Sequence, residues 1–257
     1  MLSLTSLAAA LALVLILSLS AVAQKAGTAA GNAAFRHVTT QTETLTSNPA
    51  SQDGFTVLVF HPGGRTDFGS LEQSIQSVAG ARQLTVERHA LNDPETAALL
   101  RSLRMRMAPN QTMIVFRAPN GALTWGGSEA QLGKVDPNVV FPSPQMCEII
   151  KTAQSGRDVL LVFADDQQTN GARMIQSATS YVQKPGTNAD LFVIDPTDPS
   201  NQDVIARTKL PPDSLTDARM LLLVGGRVAG QISGAPSLTG DDIAALKKSC
   251  SGKSGCC

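Results

Sequence analysis

Thiol chemistry is the one kind of chemistry whose residues this chain gathers in a single place. Three of its four cysteines, Cys250, Cys256 and Cys257, fall in the closing run CSGKSGCC. Gly, Ser and Lys offer no core in which to bury a thiol, although unpaired cysteine is among the most buried residue types. Neighbouring Cα atoms across a trans peptide lie about 3.8 Å apart, short of the roughly 4.4 Å that an unstrained disulfide needs, so Cys256 and Cys257 do not pair readily with each other. Cys250 can bridge to either by closing a short loop, and Lys253 favours the thiolate that attacks disulfides. The same three thiolates can instead wrap a soft ion such as Cu(I), Zn(II) or Hg(II). Cys147 stands apart on a helical face with Met146, Ile149 and Ile150, where burial would slow its reactions. Two plainer readings stand beside these. Four cysteines in an exported chain make a pairable set, so Cys147 can join the tail in a structural disulfide; or the terminus simply tolerates cysteine.

No other constellation competes. His37, His61 and His89 are scattered and not at ligand spacing. Met105, Met107 and Met113 would suit a soft metal, yet methionine at such spacing ordinarily fills core. Asp165-Asp166 ends an apolar run where some phosphotransferases, those of the haloacid dehalogenase type, place an Asp-x-Asp pair. The residue after next is Gln168, so the pattern fails and the carboxylates read as helix-start charges. Gly126-Gly127-Ser128 with Gly133-Lys134 lacks the spacing of a phosphate loop and reads as a turn.

The elements that must position these residues follow from composition and periodicity. With Lys+Arg 21 against Asp+Glu 21, the 257-residue chain has no global pull toward nucleic acid, and its length accommodates two domains. Residues 1–23 read as a signal peptide: an apolar run over 7–23 ends Ala21-Val22-Ala23, a small-x-small cleavage pattern. An uncleaved anchor is the alternative and would be the only attachment to a membrane. Residues 24–54, rich in Ala, Thr, Ser, Asn and Gln, predict a polar arm. A buried strand FTVLVF at 55–60 opens the first domain, 55–134. It leads to the loop His61 to Ser70, a helix from Phe68, a strand at 84–89, and a helix capped by Asp93 with Pro94 in its first turn. Prolines 137, 142 and 144 mark a boundary before the second domain, 143–249. There DVLLVF at 158–163 echoes FTVLVF, and a helix over 241–248 precedes the flexible tail, 250–257. The order β-α-β-α-β-β-α appears twice, which predicts an α/β fold of two tandem sandwiches, each a mixed sheet flanked by helices.

The stretch LNDPETAALLRSLRMRMAPNQTMIVFRAPNGALTWGG, residues 91–127, resembles the C-terminal half of a thioredoxin domain. An Asp/Pro-started helix leads to a hydrophobic-Pro pair, a strand, an Asn-Gly turn and a closing strand. The resemblance implies that Pro109 matches the family's cis-proline, and that a Cys-x-x-Cys pair would lie in His61 to Ser70 or in Ala164 to Gly171. Neither loop contains cysteine, so the domains are expected to be redox-inactive and to carry no catalytic motif. Residues 143–257, with a Ser-Pro helix start, a valine-rich strand and a cysteine tail, also resemble uncharacterised exported proteins of the planctomycete type. Cys256-Cys257 alone resembles the Cys-Cys tail with which mercuric reductases hand on metal. The expected function is an exported, non-enzymatic scaffold of the periplasm or cell envelope, binding another envelope protein without a cofactor. The alternative is a thiol-active protein that uses its tail for disulfide exchange or soft-metal binding.

Overall fold

A computed structural model describes residues 42–45, 54–108, 110–165, 168–211, 215–234 and 239–251. The chain divides into two units between Val140 and Phe141. Among the described residues no helix is long and apolar enough to cross a membrane. Residues 7–23, His37 and Pro109 lie outside the described residues.

Unit 1 is a five-stranded mixed sheet in the order β1-β3-β2-β4-β5. Its strands are β1 (Thr42–Leu45), β2 (Phe55–His61), β3 (Leu84–Ala90), β4 (Met113–Arg117) and β5 (Leu123–Gly127), and its helices begin with α1 (Gly69–Ala79) and α2 (Pro94–Ser102). Central β2 runs parallel to β3 and antiparallel to β4. It is buried along nearly its whole length, which is why it reads as a continuous apolar run. Leu58 and Phe60 join Val115 under α2, with Met105, Met107 and Met113 packed against them as core filler. Alternation turns Val57 and Val59 to the other face, where α1 buries Leu71 and Ile75. The Asp93 side chain accepts the Glu95 N–H, capping α2, and Pro94 occupies its first turn. The helix ends with Met105 N–H bonded to Leu100 O at 2.8 Å and Arg104 N–H to Arg101 O at 3.0 Å. That closure holds Arg104 at φ 57°, a position usually given to glycine. A cation at the helix C-terminus offsets part of the strain. Between β4 and β5, Gly121 adopts φ 85° and Asn120 Oδ1 accepts the Ala122 N–H at 2.9 Å, the Asn-Gly turn expected from the sequence.

Three elements of unit 1 were not expected from sequence. The polar arm contributes β1, which pairs antiparallel with the edge of β3; its sequence TETL has a single apolar residue and so shows no hydrophobic alternation. Beyond β5 the chain forms two short helices not read from sequence, α3 (Glu129–Leu132) within the first domain and α4 (Pro137–Val140) in the proline-marked boundary stretch. Both bury an apolar residue, Leu132 and Val140. Four-residue helices are too short to show a period.

Unit 2 carries α5 (Pro144–Gln154), β6 (Asp158–Phe163), α6 (Thr169–Val182), β7 (Ala189–Ile194), a 3-10 turn Pro199–Asn201, α7 (Gln202–Thr208), β8 (Arg219–Val224), β9 (Arg227–Ser233) and α8 (Gly240–Ser251). Its sheet order, β7-β6-β8-β9, reproduces β3-β2-β4-β5 of unit 1 with the same parallel and antiparallel pairings. Every residue of β6 is buried. Val159, Leu161 and Phe163 pack with Ile149 of α5 and with Val204 and Ile205 of α7. Leu160 and Val162 pack with Met174 and Ala178 of α6 and with Ile243 of α8. The sheet is therefore covered on both faces. Helix α8 runs to Ser251, so Cys250 sits in its last turn, where the start of the flexible tail was expected.

Candidate functional site

The loop after β2 joins the C-terminal end of the central strand to the start of α1. His61 closes the strand almost fully buried, with Nδ1 2.9 Å from Pro62 O and its ring edge-on to Phe68 at 5.0 Å. Two guanidinium groups stand over the same Phe68 ring, Arg65 at 5.2 Å and Arg88 at 5.0 Å. Arg65 donates to Glu129 Oε2 at 3.0 Å and to Thr112 Oγ1 at 3.0 Å, while Ser70 Oγ donates to the other Glu129 oxygen at 3.1 Å. Arg88 pairs with Glu72 of α1. Asp67 Oδ1 accepts the Gly69 N–H at 3.0 Å, occupying the helix start that an anionic ligand would need. A Cβ at Gly63 would stand 2.6 Å from the Asn92 side chain, so the loop passes close to the β3–α2 turn and a larger residue there would have to displace that exposed side chain. The arrangement is a lock of paired charges. Arg65 ties the loop after β2 to Thr112, the residue before β4.

Unit 2 repeats the tie with different chemistry. Asp165 Oδ1 accepts the Gln168 N–H at 2.9 Å, the helix-start role expected of that carboxylate. Gln168 Nε2 then donates to Leu215 O and Thr216 O, both at 3.2 Å, just ahead of β8. A Cβ at Gly171 would lie 3.1 Å from Ala164 Cβ, so α6 packs directly against the end of β6. In each unit one side chain from the first loop holds the segment that leads into the third core strand. Arg65 and Gln168 were not singled out from sequence, because their partners lie 47 to 64 residues away and no local spacing announces them.

At the opposite end of unit 2, buried Asp158 opens β6 and accepts from Lys247 Nζ of α8 at 2.7 Å. That hydrogen bond raises the Lys247 pKa. A polar cleft of about 350 Å³ lies beside the pair, bordered by Tyr181, Lys184 and Asp241. Lys184 and Asp241 are 3.9 Å apart, so the cleft's charges are balanced.

Of the thiols, Cys147 is free and buried on α5, with Sγ 3.7 Å from Pro142 O. Burial, reinforced by the nearby Asp203 carboxylate, pushes its pKa up to about 11. Cys250 is placed by the backbone of α8, whereas Cys256 and Cys257 lie outside the described residues. His89 stacks on Phe60 at 5.4 Å, with Nε2 3.4 Å from Glu87 Oε2, within ion-pair range but not in hydrogen-bonding geometry. Among the described residues no group of three or more His, Cys, Asp and Glu side chains is placed to hold a metal ion. No protein-family model and no curated protein matches this chain.

Proposed function

We propose that both units are thioredoxin-like domains that have lost dithiol chemistry, and that the chain is an exported interaction scaffold of the cell envelope. The observation that carries this reading is the pair of ties, Arg65 to Thr112 and Gln168 to Leu215 and Thr216. A redox-active relative needs the gap between those segments open, with a thiolate at the helix start. Here each gap is bridged by a structural hydrogen bond, and neither loop supplies the thiol that attacks a disulfide. The matched strand order of the two sheets supports the thioredoxin-like assignment. The test uses the chain with Cys250, Cys256 and Cys257 changed to Ser. It should fail to reduce a disulfide-linked reporter protein, yet cross-link to the same envelope protein as wild type. Reductase activity in that variant, or loss of the cross-link, overturns the reading.

A second reading assigns thiol exchange or soft-metal binding to the tail. The observation favouring it is the withdrawal of Cys147 into the core, which takes that thiol away from solution reagents and leaves Cys250, Cys256 and Cys257 as the remaining candidates. Protection of Cys250, Cys256 and Cys257 from alkylation by added Cu(I), Zn(II) or Hg(II) supports coordination, and their recovery by mild reduction after oxidation supports exchange. Neither effect appearing refutes it.

A further inference from the structure

The two sheets share a strand order but differ at one edge. In unit 1 the outer edge of β3 is taken by β1, which pairs residues 42–45 antiparallel with residues 84–87. The strand in the same place in unit 2 is β7, and among the described residues no strand pairs with its outer edge. The direction of its backbone groups follows from two bonds to the β6 side: Asn188 O accepts from Asp158 N–H at 2.8 Å and Ile194 O from Ala164 N–H at 3.1 Å. Backbone groups alternate along an extended strand, so residues 188, 190, 192 and 194 face β6 while Ala189, Leu191 and Val193 face outward. One outward carbonyl, that of Val193, accepts from the Gln145 side-chain amide at 3.1 Å. The Val193 N–H and both backbone groups of Leu191 have no protein partner among the described residues.

The side chains do not defend this edge. Natural edge strands are blunted by lysine, proline, bulges or inward charges. The only charge on β7 is Asp190, and Arg157 of the same unit pairs with it. Leu191 and Phe192 are half-buried, and Val193 is 39% exposed, one of two large apolar side chains left open among the described residues.

We propose that β7 pairs antiparallel with β7 of a second copy of the chain, about a two-fold axis at Leu191, joining the two unit 2 sheets into one. In that register the outward-facing residues form the hydrogen-bonded pairs: Leu191 opposes its own counterpart, and Ala189 opposes Val193 of the partner subunit. Asp190 then falls opposite Phe192 of the partner subunit, so no like charges meet. A strand that meets itself is self-complementary by symmetry. A second β7 is also held extended already by its own β6, whereas a foreign peptide must be ordered as it binds. Gln145 releases the Val193 carbonyl when the partner's N–H replaces its amide. The assignment stands independently of the scaffold reading.

Sedimentation of the full mature chain with reductant present, so that tail cysteines cannot link copies, tests it. Wild type should run as a dimer whose Leu191 and Val193 amides are protected from hydrogen exchange. Leu191→Pro removes an outward N–H and leaves the bonds to β6 intact; Val193→Lys puts a cation on the edge. Both variants should run as monomers with unchanged circular dichroism and lose that protection. If Leu191→Pro fails to fold, Val193→Lys decides alone. A wild-type monomer at about 100 µM, which fills any interface tighter than about 10 µM, overturns the proposal. So does a dimer that survives Val193→Lys.

Discussion

Cys147 is a buried thiol, whereas the Gly, Ser and Lys around the tail cysteines predict exposed ones, and that contrast is measurable. At pH 8 a thiol with a pKa of about 11 is ionised in about one molecule in a thousand, and only the thiolate alkylates. Brief alkylation followed by peptide mapping should therefore label Cys250, Cys256 and Cys257 well before Cys147; equal rates would show that Cys147 is not buried. The same shift has a stability consequence. A raised folded pKa means that the native state holds its proton more tightly than the unfolded chain. The stabilisation is complete below about pH 9 and is lost as pH climbs through about 11. Cys147→Ala should remove this component of alkaline unfolding, and an unchanged alkaline limb would refute it. The burial of Cys147 was legible because Met146, Ile149 and Ile150 surround it at helical spacing. The Arg65 network was not, since Thr112 and Glu129 reach it through the fold and Gly63 matters only because Asn92 arrives beside it.

Among the elements, legibility follows the strength of the period. β6 carries a nearly continuous apolar run and stands at the bounds read from sequence, 158–163. β1, α3 and α4 were missed because none is long or apolar enough to show a repeat. Helix α8 illustrates a tertiary determinant that no local pattern carries. Lys247 reaches Asp158, 89 residues earlier, and that bond pins the last helix to the first strand of unit 2. Lys247→Met should leave a carboxylate with 9% side-chain exposure unpaired, costing about 1–3 kcal/mol in urea unfolding. Restoring much of that loss with Asp158→Asn in the same chain would show that the unpaired charge is the cause. A Lys247→Met variant as stable as wild type would show that α8 is held by Ile243 and its apolar neighbours alone. Since the Lys247 pKa is raised, the bond's contribution is present below the lysine's ordinary range and fades as pH rises through the folded value.

For the whole chain, the repeated strand order was visible as a repeated pattern of runs, and the divide between the units falls within the proline-marked stretch between residues 134 and 143. What the three prolines did not announce is local: Pro137 and Pro144 each sit in the first turn of a helix, where a missing N–H costs nothing, and the units divide between Val140 and Phe141. Phe141 is 5% exposed, and the Pro142 carbonyl receives the Cys147 thiol at 3.7 Å. Both residues lie within the boundary stretch inferred from sequence, and both belong to unit 2. The Ser143 side chain and N–H are held by Asp203, at 2.9 and 2.6 Å, which fixes the chain direction into α5. A fragment spanning residues 141–257 should therefore unfold cooperatively. One beginning at Ser143 should lose about 1.5–3 kcal/mol, the value of burying one phenylalanine side chain, and its Cys147 should alkylate faster. The comparison needs only urea titration of the two fragments under reducing conditions. Equal stability would place the seam after Pro142 and assign Phe141 to unit 1.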